Sequence, residues 1–314
     1  MKKLIILGIA ALGLASCQKF KEGAGGMLYS IHTDKAGPNI KEGDFVALKA
    51  IQKTDGDSII YNSYDFDRPN FMYAEAPRFK GDLTTGLLML SEGDSATIKV
   101  NMDSISAMAK KTGAMPPAFK SKYMIYTLKI IKVIPKDTAN LSGFQAKVEA
   151  FFQAETEAAK KAEDGKIKAF IASKGMKPTV TASGLNYVIT KQGAGAKAVK
   201  GDTVQLNYAV SLLSGKLFDT SLPELSKKSA IYNAQRPYAP IKVAVGTGAV
   251  MAGFEEAITL FPVGTKATII LPSKLANGDQ GGALPPYTPL TFDIDILNVI
   301  HPGSGAAAPP TAKK

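Results

Sequence analysis

The 314-residue sequence contains only one cysteine, two histidines and no tryptophan. One cysteine cannot form an internal disulfide, and together with two histidines it offers too few ligands for a Cys/His zinc site. The sequence also lacks a glycine-rich phosphate loop, a histidine-based catalytic triad and any cluster of metal-ligating residues. It therefore predicts neither a metal nor a cofactor, and it disfavours acid–base catalysis by histidine.

Positive charge is in excess, with 38 lysines and arginines against 27 acidic residues and a formal net charge of +11. Such a balance can indicate nucleic-acid binding. The lysines are nevertheless spread along the chain, without an arginine-rich cluster or interleaved aromatic residues. We therefore expect that the lysines keep the protein surface soluble and that the protein has no nucleic-acid partner. With 45% hydrophobic and 21% charged residues, the chain is typical of a globular protein and long enough for two domains.

The only long apolar run, residues 4–15, follows two lysines at the N-terminus. It is too short to span a membrane as a helix and predicts a secretory signal. The run ends in Leu-Ala-Ser-Cys at residues 14–17, which resembles the bacterial lipobox. The resemblance implies cleavage before Cys17 and a lipid on its sulfur, so that the protein is anchored in the cell envelope. The residue that follows the cysteine is Gln18 and not aspartate. This favours sorting of the lipoprotein to the outer membrane, where it faces the periplasm.

Four short blocks occur twice in the same order, which indicates two copies of one fold. Each copy has the alternating pattern of β-strands, and residues 251–260 add one helical pattern to the second copy. A sheet covered by one helix is an α+β layer. The matching blocks are residues 26–31 with 184–189, 43–46 with 201–204, 90–98 with 261–269, and 115–117 with 284–286.

An apolar stripe among Glu, Lys and Gln residues lies between the two copies, from Phe144 to Ile171. It predicts a helical segment that stops at Gly175 and Pro178, with Gly165 as a candidate break. Two interpretations remain open for this segment: a linker helix packed on a neighbouring domain, or an arm that holds clients or mediates a homodimer.

These patterns together predict a domain organisation with six parts. They are a signal peptide at 1–17, a tether at 18–25, a first domain at 26–136, a helical linker at 137–179, a second domain at 180–301, and a low-complexity, disordered tail at 302–314.

The second copy resembles an FKBP-type peptidyl-prolyl cis/trans isomerase domain from Thr181 to Ile300. The resemblance implies an α+β fold with two FKBP-like domains, each a curved antiparallel sheet wrapped on a short helix, joined by the helical linker. It is carried by SGLNY at 183–187, GDTVQLNY at 201–208, LSGKLFDTS at 213–221, VGTGAVMAGFEEA at 245–257, LPP at 284–286 and LTFD at 290–293.

The resemblance also implies a prolyl-binding pocket, although aromatic and aliphatic residues in such a pattern more often form a core. An X-Pro amide resists rotation by about 18–20 kcal/mol, and its twisted transition state is less dipolar than its planar ground state. An apolar pocket therefore accelerates rotation without a nucleophile or general base. By resemblance the catalytic residues are Asp219, Tyr208 and Phe218, and the substrate-binding residues are Val250, Met251, Phe254, Leu284 and Phe292.

The sequence departs from the family pattern at several positions. Phe254 stands where the family usually has tryptophan, and Asn277 stands where it has the tyrosine of an Ala-Tyr-Gly loop. An insertion at 222–240 is either a surface loop or an extension of the client-binding surface. The first copy loses the pocket and is predicted to be inactive. It has Ala50, Ile60, Tyr61 and Leu83 at the positions of Tyr208, Phe218, Asp219 and Phe254.

We therefore expect a membrane-tethered isomerase that assists the folding of exported proteins. Its partners are unfolded or X-Pro-containing polypeptides and, through Cys17, the membrane. Two alternatives remain open. One is a non-catalytic holding chaperone that binds clients in the same pocket, and the other is a structural lipoprotein recruited to a surface complex.

Overall fold

The structure is a computed structural model that describes residues 19–302 except 118–119, 230, 280–281 and 283. The predicted signal peptide with Cys17 and the tail beyond residue 302 lie outside the described residues. The chain divides into two compact units. Of the described residues, the first unit contains 19–62 together with 69–137, and the second contains 63–68 together with 138–302.

The first unit contains one seven-stranded antiparallel sheet, ordered β1-β2-β6-β7-β3-β4, with β5 also paired to β3. The helix α1 packs its buried Leu87 against this sheet, and Asp82 caps it by accepting a hydrogen bond from the Thr85 N–H at 2.9 Å. The elements are β1 Lys21–Glu22, β2 Leu28–Thr33, β3 Phe45–Thr54, β4 Ile59–Asn62, β5 Asn70–Tyr73, α1 Leu83–Leu87, β6 Ser95–Asn101, α2 Met102–Thr112 and β7 Tyr123–Ile134.

The second unit contains the long helix α3 and a second seven-stranded antiparallel sheet, ordered β8-β9-β13-β14-β10-β11, with β12 paired to β10. Its core lies between this sheet and the helix α5, where Leu206, Ile258 and Ile269 are fully buried. The elements are α3 Leu141–Ser173, β8 Thr179–Val180, β9 Asn186–Lys191, β10 Thr203–Leu212, β11 Leu217–Thr220, α4 Pro223–Lys228, β12 Ile241–Ala244, α5 Ala252–Leu260, β13 Lys266–Leu271 and β14 Leu290–Ile300.

The two sheets have the same strand order, position by position, so the repeated blocks of the sequence correspond to a repeated topology. They also share a β-bulge, after Ala47 in the first sheet and after Gln205 in the second. Such bulges are specific features of a fold rather than defects. The prediction of an α+β fold with antiparallel sheets and an intervening helix is confirmed.

The shared bulge aligns the two copies residue by residue. Counting from it, Ala50 on β3 occupies the position of Tyr208 on β10. Tyr61 pairs with Gln52 as Asp219 pairs with Val210, which makes Tyr61 the counterpart of Asp219. At these strands, the alignment of the two copies that the sequence predicts therefore agrees with the alignment of the two sheets.

The linker segment forms a single helix of 33 residues, α3, which continues through Gly165 without a break. It begins where the Asn140 side chain accepts a hydrogen bond from the Gly143 N–H at 2.9 Å, and the predicted stop at Gly175 has φ +61°. The buried carboxylate of Glu163 accepts hydrogen bonds from the Ser273 N–H and, at 2.7 Å, from the Ser273 hydroxyl. These bonds join α3 to the loop after β13. Among the described residues, no helix is long and apolar enough to cross a bilayer.

Two glycines in helices should respond in opposite ways to replacement by alanine. In Gly86→Ala, the new Cβ would lie 2.5 Å from Cδ1 of the buried Ile98, so we expect the first unit to lose about 1–3 kcal/mol of unfolding free energy. In Gly165→Ala, the new Cβ would meet no atom within 4 Å, so we expect a gain of about 1 kcal/mol from helix propensity. Chemical denaturation followed by circular dichroism measures both changes, and shifts of the same sign would contradict the packing described for α1 and α3.

Candidate active site

A cavity of about 380 Å³ opens on the inner face of the second sheet, beside α5. Alternate residues of a strand point to one face, so Tyr208 and Val210 of β10 share this face with Leu290 and Phe292 of β14. The pairing of Val210 with Phe292 fixes their relative positions. The lining residues are Tyr208, Val210, Phe218, Asp219, Ile241, Ala249, Val250, Met251, Phe254, Leu290 and Phe292.

Aromatic rings form the deep part of the cavity. Phe254, in the first turn of α5, is only 4% exposed. Its ring centroid lies 5.0 Å from that of Phe292 and 6.4 Å from that of Tyr208, in tilted and edge-on arrangements. Such arrangements are the favourable ones for aromatic pairs. Phe218 is 40% exposed and stands at the rim of the cavity. The cavity therefore has an apolar floor and a rim that a ligand can reach.

The polar part of the site is a network around Asp219. The Tyr208 hydroxyl donates to Asp219 Oδ2 at 2.6 Å, and the Thr220 N–H donates to Oδ1 at 2.8 Å. The Arg236 guanidinium bonds to both carboxylate oxygens, in a bidentate ion pair, and also donates to the Tyr208 hydroxyl at 3.0 Å. Tyr208 and Asp219 are thus held in one geometry from three sides.

This network shifts the pKa values of both residues. Partial burial raises the pKa of Asp219, but the bonds from Arg236, Tyr208 and Thr220 outweigh it and hold that pKa below its ordinary value. Burial and the neighbouring Asp219 raise the pKa of the Tyr208 hydroxyl. At neutral pH Asp219 is therefore ionised and Tyr208 is neutral, so neither is set to exchange a proton with a ligand.

The structure brings seven of the eight residues predicted from the sequence around this one cavity. The eighth, Leu284, is 1% exposed and belongs to the adjacent core rather than to the lining. Asn277 lies in a turn after β13 and is not part of the lining. The position that the family fills with tyrosine therefore adds no side chain to this cavity.

Sequence reasoning missed the role of Arg236. Arg236 lies in the insertion at 222–240, and nothing in the sequence gives its distance from Asp219, 17 positions earlier. The insertion is organised around Tyr238, whose hydroxyl lies 2.8 Å from Ser226 Oγ and accepts from the Asn233 N–H at 2.9 Å. The Tyr238 ring stacks on Tyr232 at 5.2 Å, and the Arg236 guanidinium lies 5.3 Å from its centroid. The insertion therefore positions the arginine of the site.

The equivalent place in the first unit has different chemistry. Ala50 lacks the hydroxyl of Tyr208, and Tyr61 stands where Asp219 supplies the carboxylate. The Tyr61 hydroxyl donates instead to Asn70 Oδ1 at 2.5 Å. The same topology thus carries the charged network in the second unit and not in the first.

Comparison with known proteins places the second unit in a recognised sequence family. Residues 195–297 match the family of FKBP-type peptidyl-prolyl cis-trans isomerases. FK506-binding protein 2 of Candida glabrata is 36% identical over 123 residues, which cover 37% of this chain and 81% of the relative.

Two bacterial relatives match a longer part of the chain. The FKBP-type peptidyl-prolyl cis-trans isomerase FkpA of Aeromonas hydrophila is 31% identical over 52% of this chain and 57% of its own length. The outer membrane protein MIP of Legionella longbeachae is 34% identical over 51% of this chain and 64% of its own length. The match thus spans only a little over half the length of these two relatives.

The charge network predicts a specific change in the titration of Asp219. In Arg236→Met the lowering contribution of the guanidinium is lost while partial burial remains, so the pKa of Asp219 should rise. The wild-type carboxylate then stays ionised to lower pH than that of the variant. Carboxyl ¹³C NMR across an acid titration measures both values, with Arg78→Met, at an exposed arginine paired to Glu75, as the control. An unchanged Asp219 titration in Arg236→Met would show that the ion pair does not set it.

Proposed function

Because this chain belongs to the family of FKBP-type peptidyl-prolyl cis-trans isomerases, we propose that its second unit catalyses cis–trans isomerisation of X-Pro bonds in polypeptides. The observation that carries the proposal is the cavity of about 380 Å³, in which an aromatic floor adjoins a carboxylate of fixed charge and position. Such a cavity accepts a prolyl ring and leaves the amide at its mouth.

Catalysis in this proposal comes from the environment of the amide. Rotation removes the resonance that flattens the bond, so the twisted carbonyl is less dipolar than the planar one. The apolar walls of Phe254, Phe292 and Val250 stabilise the twisted amide relative to the planar one, because they replace water as its surroundings. An acceleration of about a millionfold corresponds to about 8 kcal/mol of this differential stabilisation. No proton moves, which agrees with the fixed protonation states of Asp219 and Tyr208.

Each site residue has a distinct role in the proposal. Phe254 and Phe292 hold the prolyl ring, Val250 and Met251 border it at the start of α5, and Phe218 contacts the residue before proline at the rim. The hydrogen-bonded pair of Asp219 and Tyr208 presents an oriented dipole to the carbonyl group of the rotating X-Pro amide. Arg236 holds both side chains in position through its hydrogen bonds. Leu284 supports the core behind the cavity.

We further propose that the protein acts in the cell envelope, where it assists the folding of exported proteins. The apolar N-terminal run and the lipobox-like sequence ending at Cys17 support export and lipid anchoring. The bacterial relative named outer membrane protein MIP supports an envelope location. Proline isomerisation limits the folding of many proteins, so clients with slow X-Pro bonds are the expected substrates.

The domain organisation gives the two copies separate roles in the proposal. Residues 180–301 are the catalytic domain, and residues 26–136 are a non-catalytic domain that binds clients or holds the active domain away from the membrane. The linker at 137–179 contacts the catalytic domain through the hydrogen bond from Ser273 to Glu163. Its remaining surface is proposed to mediate a homodimer. A holding chaperone is the second candidate, favoured by the exposed Phe218 and by Asn277 in place of the family tyrosine.

Substitutions in the cavity should weaken the acceleration of cis-to-trans conversion in a test peptide. In Phe218→Ala and Asp219→Ala we expect kcat/KM for cis-to-trans conversion of a short X-Pro peptide to fall about 10- to 1,000-fold, because the rim contact and the oriented dipole are lost. The matched control is Ile60→Ala, at the position of Phe218 in the first copy, which should leave the rate unchanged. Folded wild-type protein that accelerates no X-Pro peptide would exclude the enzyme and favour the holding chaperone.

Restoring the family tyrosine at position 277 should improve substrate binding. The resemblance implies that the tyrosine hydroxyl reaches the substrate carbonyl, so Asn277→Tyr should lower KM by about 3- to 10-fold with a smaller effect on kcat. Asp279→Tyr, at an exposed position in the same turn, is the control. Equal effects of the two substitutions would show that the gain comes from added apolar surface and not from that hydrogen bond.

A further inference from the structure

A second cavity of about 430 Å³ lies within the second unit and shares no lining residue with the candidate active site. Three walls enclose it: residues 64–68, the C-terminal half of α3, and the two segments 212–214 and 287–289. Neither the family match nor the isomerase proposal gives this cavity a function. The side chains that line the cavity indicate that it binds a ligand.

Arg68 lines this cavity and is only 8% exposed, yet within the part of the chain that the structure describes no acidic side chain bonds to it. Its Nε atom is fully buried and makes no hydrogen bond. Its single bond, from Nη1 to the Pro286 carbonyl, is 3.5 Å long, at the outer limit for such a contact. Buried cations are normally paired, because the loss of hydration is costly without a compensating anion. The Nε edge of this guanidinium therefore lacks the acceptor that such a site requires.

The other charged groups around the cavity do not supply that acceptor. Asp67 forms an ion pair with Lys166 at 2.8 Å, and the hydrogen bond that Arg68 donates goes to a backbone carbonyl. Burial lowers the pKa of Arg68, and the charge of Glu155 only partly opposes this without a direct bond. With one unpaired guanidinium and two acidic side chains in the lining, the cavity suits a monoanion better than a phosphate dianion.

The rest of the lining is largely apolar and defines the other half of the ligand. Phe66, Phe170, Leu212, Leu213 and Pro289 contribute side chains to the walls. A cavity of this volume lies within the range of small-molecule sites, which combine apolar walls with a few placed polar groups. The lining thus fits an apolar body attached to one charged group.

We propose that this cavity binds a carboxylate that carries an apolar substituent, with the carboxylate on the guanidinium of Arg68 and the substituent between Phe66 and Phe170. A carboxylate matches the planar fork of N–H groups that a guanidinium presents. The same chemistry occurs in a free aliphatic or aromatic acid and in the C-terminal residue of a polypeptide. The proposal does not depend on isomerase activity, because the two cavities share no residue.

Isothermal titration calorimetry on the full mature chain tests this site with two matched probe pairs. The first is 4-phenylbutyrate against its amide, and the second is N-acetyl-Phe-Leu with a free against an amidated C-terminus. We expect at least one acid to bind, with its amide bound about tenfold more weakly or not at all. Binding of the first acid alone identifies a free acid as the ligand, and binding of the second alone identifies a peptide terminus.

Variants separate a ligand-binding role of Arg68 from a structural one. Arg68→Met keeps the aliphatic stem and should weaken acid binding about tenfold, while its melting temperature without ligand stays equal or rises because an unpaired buried charge is gone. Ala169→Phe narrows the cavity from the exposed side of α3, retains Arg68, and should also weaken binding. The control Arg78→Met, at an exposed arginine, should bind as the wild type does.

Three results would overturn the proposal: equal affinity for acids and amides, acid binding unaffected by Arg68→Met and Ala169→Phe, or no binding of either acid at millimolar concentration. If Arg68→Met fails to fold, the Ala169→Phe comparison and the acid–amide pairs in the wild type decide the outcome without it.

Discussion

The pairing of β10 with β14 is the constraint on which the second unit depends. Its register, set by the bulge after Gln205, aligns Val210 with Phe292 and so gathers alternate residues of both strands on one face. A shift of one residue would turn every one of these side chains to the opposite face of the sheet. The strand residues that line the cavity, Tyr208, Val210, Leu290 and Phe292, share one face of the sheet because of this register.

The first unit has the same strand register but different residues at the positions of the site. The fold alone therefore does not determine the chemistry of the cavity. Both sheets have one strand order and one bulge, yet Ala50 and Tyr61 replace the tyrosine and the carboxylate of the second copy. A shared topology therefore supports a spacer or client-binding domain as readily as an enzyme. The activity proposed here depends on a few polar atoms that the second sheet positions and the first sheet lacks.

The insertion between β11 and β12 connects local structure to the electrostatics of the site. The helix α4 and the Tyr232–Tyr238 stack belong to the segment that carries Arg236. Arg236 in turn helps to lower the pKa of Asp219 and donates a hydrogen bond to the Tyr208 hydroxyl. A segment that reads as a surface loop thus contributes to the polar half of the cavity. Arg68 illustrates the opposite case, a buried guanidinium whose unmet bonding capacity points to a molecule outside the chain.

The α+β class, the repeat, the intervening helix and most of the cavity lining were predictable from the sequence, because strand alternation, turn residues and family motifs are local signals. The sequence suggested a break at Gly165, but α3 continues, since one glycine costs only about 1 kcal/mol in a helix that is also packed and hydrogen-bonded through Glu163. Three features required the tertiary structure. Arg236 bonds to Asp219, Leu284 is buried in the core, and Arg68 is buried without an anionic partner among the described residues. Distances between residues remote in sequence are fixed by packing, which no local pattern records.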